Sequence, residues 1–164
     1  MTNKLTGIFT LKSPLSHISE SIGTTSYLSQ EPILQPDGTS TEVFCYSGNA
    51  WRGQLRDLAA MHMLDEIGLK VSRDSFHLLF SGGKIGGDQK VDIENIKKIR
   101  ESIPMLALFG GGIGNTIMPG LMRVGNCYPV CLEALPVLPN YYHSLDHIGS
   151  YSDIISSKIS SPEY

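Results

Sequence analysis

Apolar and polar residues alternate at the start of the chain. From Lys4 to Lys12 the period is two, with Leu5, Phe9 and Leu11 on the same side, which is typical of a strand. The segment from Ser13 to Gln30 is rich in Ser and Thr and has few apolar residues. Long polar connections are often functional, so we interpret it as a loop over a ligand or, alternatively, as an ordinary surface connection.

Turn signals separate the next two apolar runs. Gln30–Thr41 contains a typical turn sequence, and the apolar run Glu42–Tyr46 follows it as a buried strand. The pattern predicts a hairpin or a crossing loop. The turn residues are Pro36, Asp37 and Gly38.

Two later segments have the 3.6-residue period of amphipathic helices. The first runs from about Ala50 to Ile67 and ends at Gly68. Its predicted buried stripe consists of Trp51, Leu55, Leu58, Ala59, Met63 and Ile67. The second runs from Asp92, a plausible N-cap, to Ile103 and is closed by Pro104. Its predicted buried stripe consists of Ile93, Ile96, Ile99 and Ile103.

Two glycine-rich stretches invite a nucleotide-site interpretation that their spacing does not support. A phosphate loop needs Lys and then Ser or Thr after its last glycine, but Gly87 is followed by Asp88. The run Gly110–Asn115 misplaces the third glycine of the dinucleotide fingerprint. The first stretch is therefore predicted to be a flexible loop. Beyond the second, Ile117–Val124 and Cys127–Leu138 resemble strands, although the prolines of the latter favour an edge position or irregular chain. The Ser-rich tail is either a partial helix or a mobile end.

Length and composition indicate one soluble globular domain. The chain has 164 residues, of which 41% are hydrophobic and 18% charged, with a net charge of −3. A global positive field is absent, so any nucleic-acid binding must come from a local patch. No signal-peptide pattern or membrane-length apolar run occurs, so a cytoplasmic protein without membrane partners is expected. The three cysteines do not suggest a disulfide framework.

The corner between the second apolar run and the first helix carries candidate chemistry. Ser47, Gly48 and Asn49 would leave backbone N–H groups at a helix N-terminus, which favours anions. Arg52 and Arg56 follow four residues apart and off the predicted buried stripe. These residues point to a phosphate site. The alternative is a capped helix start with two solvated arginines.

A zinc-like spacing also occurs. Cys127 and Cys131 precede His143 and His147 in an approximation of the two-Cys, two-His finger. Prolines occupy the stretch where the recognition helix would start, and no Lys or Arg lies between the ligand pairs. The zinc site is kept only as an alternative.

The segment Ser47–Arg56 resembles the small-small-x-aromatic/aliphatic-Arg-Gly-x-Leu-Arg signature of the RAMP superfamily of CRISPR-associated proteins. Within it, the chain is most similar to the backbone subunit of class 1 effector complexes, and to the type IV version best. Three looser similarities agree, and the resemblance as a whole covers most of residues 1–138. They are the strand-then-loop opening Lys4–Ile18, the Ala107–Gly110 segment before a glycine-rich loop, and the returning strand Gly120–Val124.

The resemblance implies an α+β fold with an RRM-like, ferredoxin-like antiparallel core and loop insertions over residues 1–139. Residues 140–164 would form a Ser-rich tail or part of a thumb segment. Copies of such a subunit form a helical filament along a guide RNA, beside other CRISPR effector subunits, and present the spacer for pairing with a target nucleic acid. No cofactor or metal is implied. Family subunits are commonly about twice this long, so a truncated form is expected.

The residues expected to bind RNA combine the corner with polar and basic positions elsewhere: Ser16, His17, Ser47, Gly48, Asn49, Trp51, Arg52, Arg56, Lys84 and Arg123. A non-catalytic role is expected. Type III relatives cut target RNA with an Asp in the loop after strand one, but Ser13–Gln35 contains only Glu20 and Glu31 as carboxylates. A target-RNA endoribonuclease and a zinc-binding or purely structural interaction module are the alternatives.

Overall fold

A computed structural model describes residues 3–13, 15–23, 25–68, 70–83 and 93–159, with side chains as far as residue 155. The chain divides into two units, which we call unit one (residues 1–46 and 128–164) and unit two (residues 47–127). The strands are β1 Ile18–Ile22, β2 Thr25–Leu28, β3 Gln30–Leu34, β4 Ser40–Phe44, β5 Gly111–Ile113 and β6 Thr116–Met118. The helices are α1 Gly48–Ile67, α2 Arg73–Ser81, α3 Ile93–Ser102, α4 Pro104–Phe109 and α5 Tyr151–Ile159.

The hairpin of β3 and β4 confirms the prediction made from the turn sequence. The strands pair antiparallel from Gln30↔Phe44 to Leu34↔Ser40. Asp37 Oδ1 accepts hydrogen bonds from the Thr39 backbone N–H (2.9 Å) and hydroxyl (2.7 Å), which closes the turn.

The interpretation of residues 13–30 as a loop is wrong, because β1 and β2 form an antiparallel hairpin there. Gly23 takes a positive φ of 62° in its turn, and the hydroxyls of Ser21 and Ser26 lie 3.0 Å apart across the pair. Ser and Thr side chains can satisfy one another across a ladder, so a polar composition does not exclude a strand.

The strand predicted over Lys4–Lys12 is also wrong. Described residues 3–11 have no regular secondary structure and are exposed. Alternation supplies only the side-chain pattern of a strand, whereas the strand itself needs a neighbour to pair with.

The remainder of unit one consists of short helical turns. Two 3₁₀ helices, Leu132–Val137 and Asn140–Ser144, precede α5. Of the two alternatives for Cys127–Leu138, the edge strand is therefore wrong, because Pro136 lies inside a 3₁₀ helix and cannot donate to a ladder. The predicted domain boundary near residue 139 falls inside unit one. The buried core of this unit consists of Ile33, Val43, Cys131 and Ala134.

Helix α1 of unit two confirms the predicted long helix. The Ser47 hydroxyl caps its start by accepting from the Ala50 N–H (3.2 Å), and Gly68 ends it in the left-handed conformation with φ 65°. The predicted buried stripe is wrong at Leu58 and Ile67, which are exposed. The buried core of unit two consists of Ala60, Leu79, Met105 and Phe109.

Of the other helices of unit two, the sequence predicted α3 but not α2 or α4. Helix α3 lies where predicted, but none of its residues is buried and Ile93 is 80% exposed, while its predicted cap Asp92 lies outside the described residues. Helices α2 and α4 form over apolar runs that gave no periodic signal. The predicted strand Ile117–Val124 is regular only as far as Met118, where β6 ends.

The α+β class predicted from the sequence is confirmed, and the described pairs β1–β2, β3–β4 and β5–β6 are antiparallel. Within the described residues the strands pair only two by two, as β1–β2, β3–β4 and β5–β6, and form no continuous four-stranded sheet. Among the described helices, none has the length and apolar character needed to cross a membrane.

Candidate functional site

The N-terminus of α1 is closed by contacts within unit two. The Gly48 N–H donates to Asn126 Oδ1 (2.8 Å), the Ala50 N–H to the Ser47 hydroxyl (3.2 Å), and the Trp51 N–H to the Ser47 carbonyl (3.0 Å). These backbone groups were expected to receive an anion, but they already have partners in the chain. The better candidates for binding an anion are therefore the arginines farther along α1.

Gly48 is required by the close approach of another segment. A Cβ at this position would lie 2.9 Å from the Gly125 carbonyl oxygen and closer still to that of Val124. The residue is buried, so a side chain there has no free space to enter. Its role is to let the chain near residue 124 pass over the start of α1.

Arg52 and Arg56 both reach the C-terminal end of α4. An Nη2 of each arginine donates to the Phe109 carbonyl, at 2.7 Å for Arg56, which also donates to the Gly110 carbonyl at 2.9 Å. The Arg56 guanidinium carbon lies 5.7 Å from the centre of the Phe109 ring. Carbonyls at a helix C-terminus lack intrahelical donors and attract cations, which explains the pairing. The arginines are half-buried rather than solvated.

Burial leaves two guanidinium N–H groups without partners. Arg52 Nε and Arg56 Nη1 are buried and make no hydrogen bond to any described residue. Burial, and secondly the charge of Arg52, lower the pKa of Arg56 from its ordinary value, while Asp57 opposes the shift. Within the described part of the chain, no carboxylate lies within 4.0 Å of either guanidinium. Two like charges thus lie close together on α1.

The glycine-rich stretches pack backbone against backbone beside these arginines. A Cβ on Gly120 would lie 2.6 Å from the Phe109 carbonyl carbon, and one on Gly110 would lie 2.6 Å from the Gly120 nitrogen. The Gly112 N–H donates to the Gly82 carbonyl at 2.6 Å. The absence of side chains is what lets these segments touch. The first stretch was predicted to be a flexible loop, but its described part, Gly82 and Gly83, is held in this packing.

A cavity of about 530 Å³ opens where these elements meet, and we call it the arginine pocket. Arg52, Arg56 and Arg123 line it, so the structure brings together three of the predicted site residues. Its other lining residues are Ser81, Gly82, Gly83, Phe109, Gly111, Gly112, Ile117, Met118, Pro119, Gly120 and Met122. Among the described lining residues, the side chains that can form conventional hydrogen bonds are the three arginines and Ser81.

The remaining predicted residues lie elsewhere. Asn49 is exposed and Trp51 half-buried on α1, and neither lines the pocket. Ser16 and His17 belong to unit one, where the His17 ring lies 4.8 Å from that of Tyr46. Lys84 lies outside the described residues. The sequence analysis did not identify the Phe109 and Gly110 carbonyls as the acceptors for the arginines. The glycine run Gly110–Gly112 was the sequence feature that marked this place.

The zinc-like spacing gains no support. Among the residues that the structure describes, no three His, Cys, Asp or Glu side chains are grouped as a metal ion would need. Cys127 belongs to unit two and the other three to unit one. Cys131 is buried, and burial raises the pKa of its thiol, which disfavours the thiolate that binds zinc.

Unit two is therefore an α+β unit with a pocket lined by three arginines and by the main chain of several glycines. No family model and no curated protein sequence matches the chain. Among solved structures, its fold is similar to a chain of a Type IV-B CRISPR complex, with a TM-score of 0.51 and 21% sequence identity. The match covers 76% of this chain and 51% of that chain, so this chain spans about half the length of the one it resembles.

Proposed function

We propose that the chain is a guide-RNA-binding subunit of a CRISPR effector complex and that the arginine pocket holds RNA phosphates. The observation that carries the proposal is the pair of half-buried guanidiniums, Arg52 and Arg56, which lack a carboxylate partner among the described residues. The similarity of fold to a chain of a Type IV-B CRISPR complex supports the assignment to such an assembly.

Phosphate suits the pocket chemically. Its oxygens accept several hydrogen bonds, and an arginine fork matches their geometry. Buried N–H groups without acceptors cost about 1–3 kcal/mol each, so an anion that supplied acceptors to Arg52 and Arg56 would recover part of that cost. A negative charge would also relieve the repulsion between the two guanidiniums. The exposed Arg123 offers a third contact at the rim.

The lining predicts binding without regard to base sequence. The described lining contains no Asn, Gln, Asp or Glu side chain, and Arg52 and Arg56, which can also read guanine, are held against the Phe109 carbonyl. A subunit that holds a guide must accept any spacer, and copies repeated along the RNA in a filament would each need such a site. The proposal therefore includes self-assembly along the guide, pairing of the guide with a target, and contact with other effector subunits.

Arg123 gives the cleanest test because it is exposed. We expect Arg123→Ala to weaken binding of single-stranded RNA about tenfold, since one charge-assisted contact contributes about 1.5 kcal/mol. The slope of log K against log salt should fall by about 0.7. Fluorescence anisotropy with two unrelated RNAs of equal length measures both quantities. Arg73→Ala is the matched control, because Arg73 is also exposed in unit two but does not line the pocket.

Loss of affinity for only one of the two RNA sequences, or an equal loss in the Arg73 control, would contradict the proposal.

Arg52→Ala and Arg56→Ala should each weaken the binding of both RNAs equally. They should also lower the melting temperature of the protein, because each removes a hydrogen bond to the Phe109 carbonyl. The corresponding lysine variants keep the charge without the fork. They should retain part of the RNA affinity while still losing thermal stability.

We also propose that the subunit is not catalytic. Glu31, which could replace the missing Asp of the segment 13–35, is already engaged by the Tyr128 hydroxyl in unit one. Incubation of the protein with guide RNA, complementary RNA and Mg²⁺ should leave the target intact on a denaturing gel. Cleavage that Glu20→Gln or Glu31→Gln abolishes would instead identify an endoribonuclease.

A further inference from the structure

The segment 4–12 has the sequence of a strand but no sheet. Its apolar residues alternate, yet the described residues 3–11 form no strand. The side chain of Leu5 is 95% exposed, that of Ile8 56% and that of Leu11 50%. In its own chain the segment has a long contact at Gly7, whose carbonyl lies 3.5 Å from the Tyr142 hydroxyl. The side chains of Leu5, Ile8 and Leu11 are thus exposed to solvent.

The hairpin of β1 and β2 is a sheet that lacks a third strand among the described residues. Every residue of both strands is exposed, so neither face of this two-stranded sheet is buried. Two-stranded sheets are marginally stable alone, and an open edge carries backbone groups that can pair with another strand. Ile18, Ile22 and Leu28 add exposed apolar surface to the hairpin.

The charges of the two segments are complementary. Residues 3–12 carry Lys4 and Lys12 and no carboxylate. The β1–β2 hairpin, residues 18–28, carries no Lys or Arg, and its carboxylate is Glu20. A strand from the first segment, with two positive charges, would therefore approach a hairpin that carries a negative charge and no positive one, which favours the encounter and opposes pairing of the first segment with its own kind.

We propose that residues 4–12 of one copy add as a third strand to the β1–β2 hairpin of a second copy. Backbone hydrogen bonds would supply much of the affinity, and the alternating leucines would cover the apolar residues of the hairpin. Because each chain has both the strand and the hairpin, the contact can repeat from copy to copy or close into a dimer. The inference rests on the self-assembly part of the proposed function, but it can be tested without nucleic acid.

The test measures the association of the RNA-free full chain by sedimentation velocity over a concentration series. The wild-type chain should associate as its concentration rises. The double variant Leu5→Ser, Leu11→Ser should raise the dissociation constant about tenfold or more. The control pair Thr6→Ser with Thr10→Ser lies on the other side of the segment and should stay within about twofold. All four positions are exposed, so melting temperatures should not change.

Ile22→Ser on the hairpin should weaken association in the same way. A mixture of the leucine variant with the Ile22→Ser variant should then recover association, because one chain supplies an intact segment and the other an intact hairpin. A wild-type chain that stays monomeric, equal losses in both variant pairs, or no recovery in the mixture would each overturn the inference. Failure here with RNA binding intact would leave the arginine pocket as a guide-binding site.

Discussion

Gly48 and Gly53 lie on the same helix but meet different surroundings. A Cβ on Gly48 would press on the backbone near Gly125, whereas a Cβ on Gly53 would meet nothing within 4 Å. We expect Gly48→Ala to destabilise the protein by about 1–3 kcal/mol through overpacking. Gly53→Ala should stabilise it by about 0.5–1 kcal/mol, because alanine favours the helix.

Urea denaturation of the two variants measures both effects. Because the two changes add the same methyl group to the same helix, opposite signs would isolate the contact at Gly48. Equal effects would mean that the chain near residue 124 does not pass over the start of α1.

At the scale of elements, α5 begins on a side chain from a different part of unit one. The Tyr151 N–H donates to Glu133 Oε2 at 2.7 Å, and the Tyr151 hydroxyl accepts from the Phe44 N–H at 3.0 Å. We expect Glu133→Ala to destabilise the protein by about 1–2 kcal/mol, since it removes the acceptor at a helix start. Glu133→Gln retains a carbonyl acceptor and should cost less. Thermal unfolding followed by circular dichroism compares the two, and equal losses would show that the contact at Tyr151 is not what matters.

Elements with local signals were predictable. Ser47 and Gly68 mark the ends of α1, and the turn at Asp37 marks the β3–β4 hairpin, because caps and turns depend on a few neighbouring residues. The segment 4–12 failed because strand formation depends on a partner elsewhere in the chain. The apolar run at 76–80 could not be assigned from periodicity alone because short apolar runs fit helix and strand equally.

The candidate site divides in the same way. Arg52 and Arg56 were identifiable because they lie four residues apart beside a helix start. Their carbonyl partners at Phe109 and Gly110 lie more than 50 residues away, and no local pattern connects them. The sequence therefore predicted which residues carry positive charge but not that they are half-buried and already bonded to the chain.

For the whole molecule, the net charge of −3 contrasts with a pocket lined by three arginines. Arginine stays protonated throughout the physiological range, even though burial lowers the pKa of Arg56. We therefore expect RNA affinity to change less than about twofold between pH 6 and 9 at constant salt. Anisotropy titrations across that range measure it. A marked gain in affinity as the pH falls would indicate that histidines, not the arginines, hold the RNA.

The main-chain floor of the arginine pocket restricts how such a site can diverge. Where Gly83 and Gly120 touch other backbone, no side chain can be accommodated, so substitutions there remove the site instead of retuning it. Variation that keeps the site intact is confined to the rim, where Arg123 and the 67%-exposed Ile117 point outward. Engineering of affinity or of the accepted backbone chemistry should therefore begin with libraries at these two positions and leave the glycines unchanged.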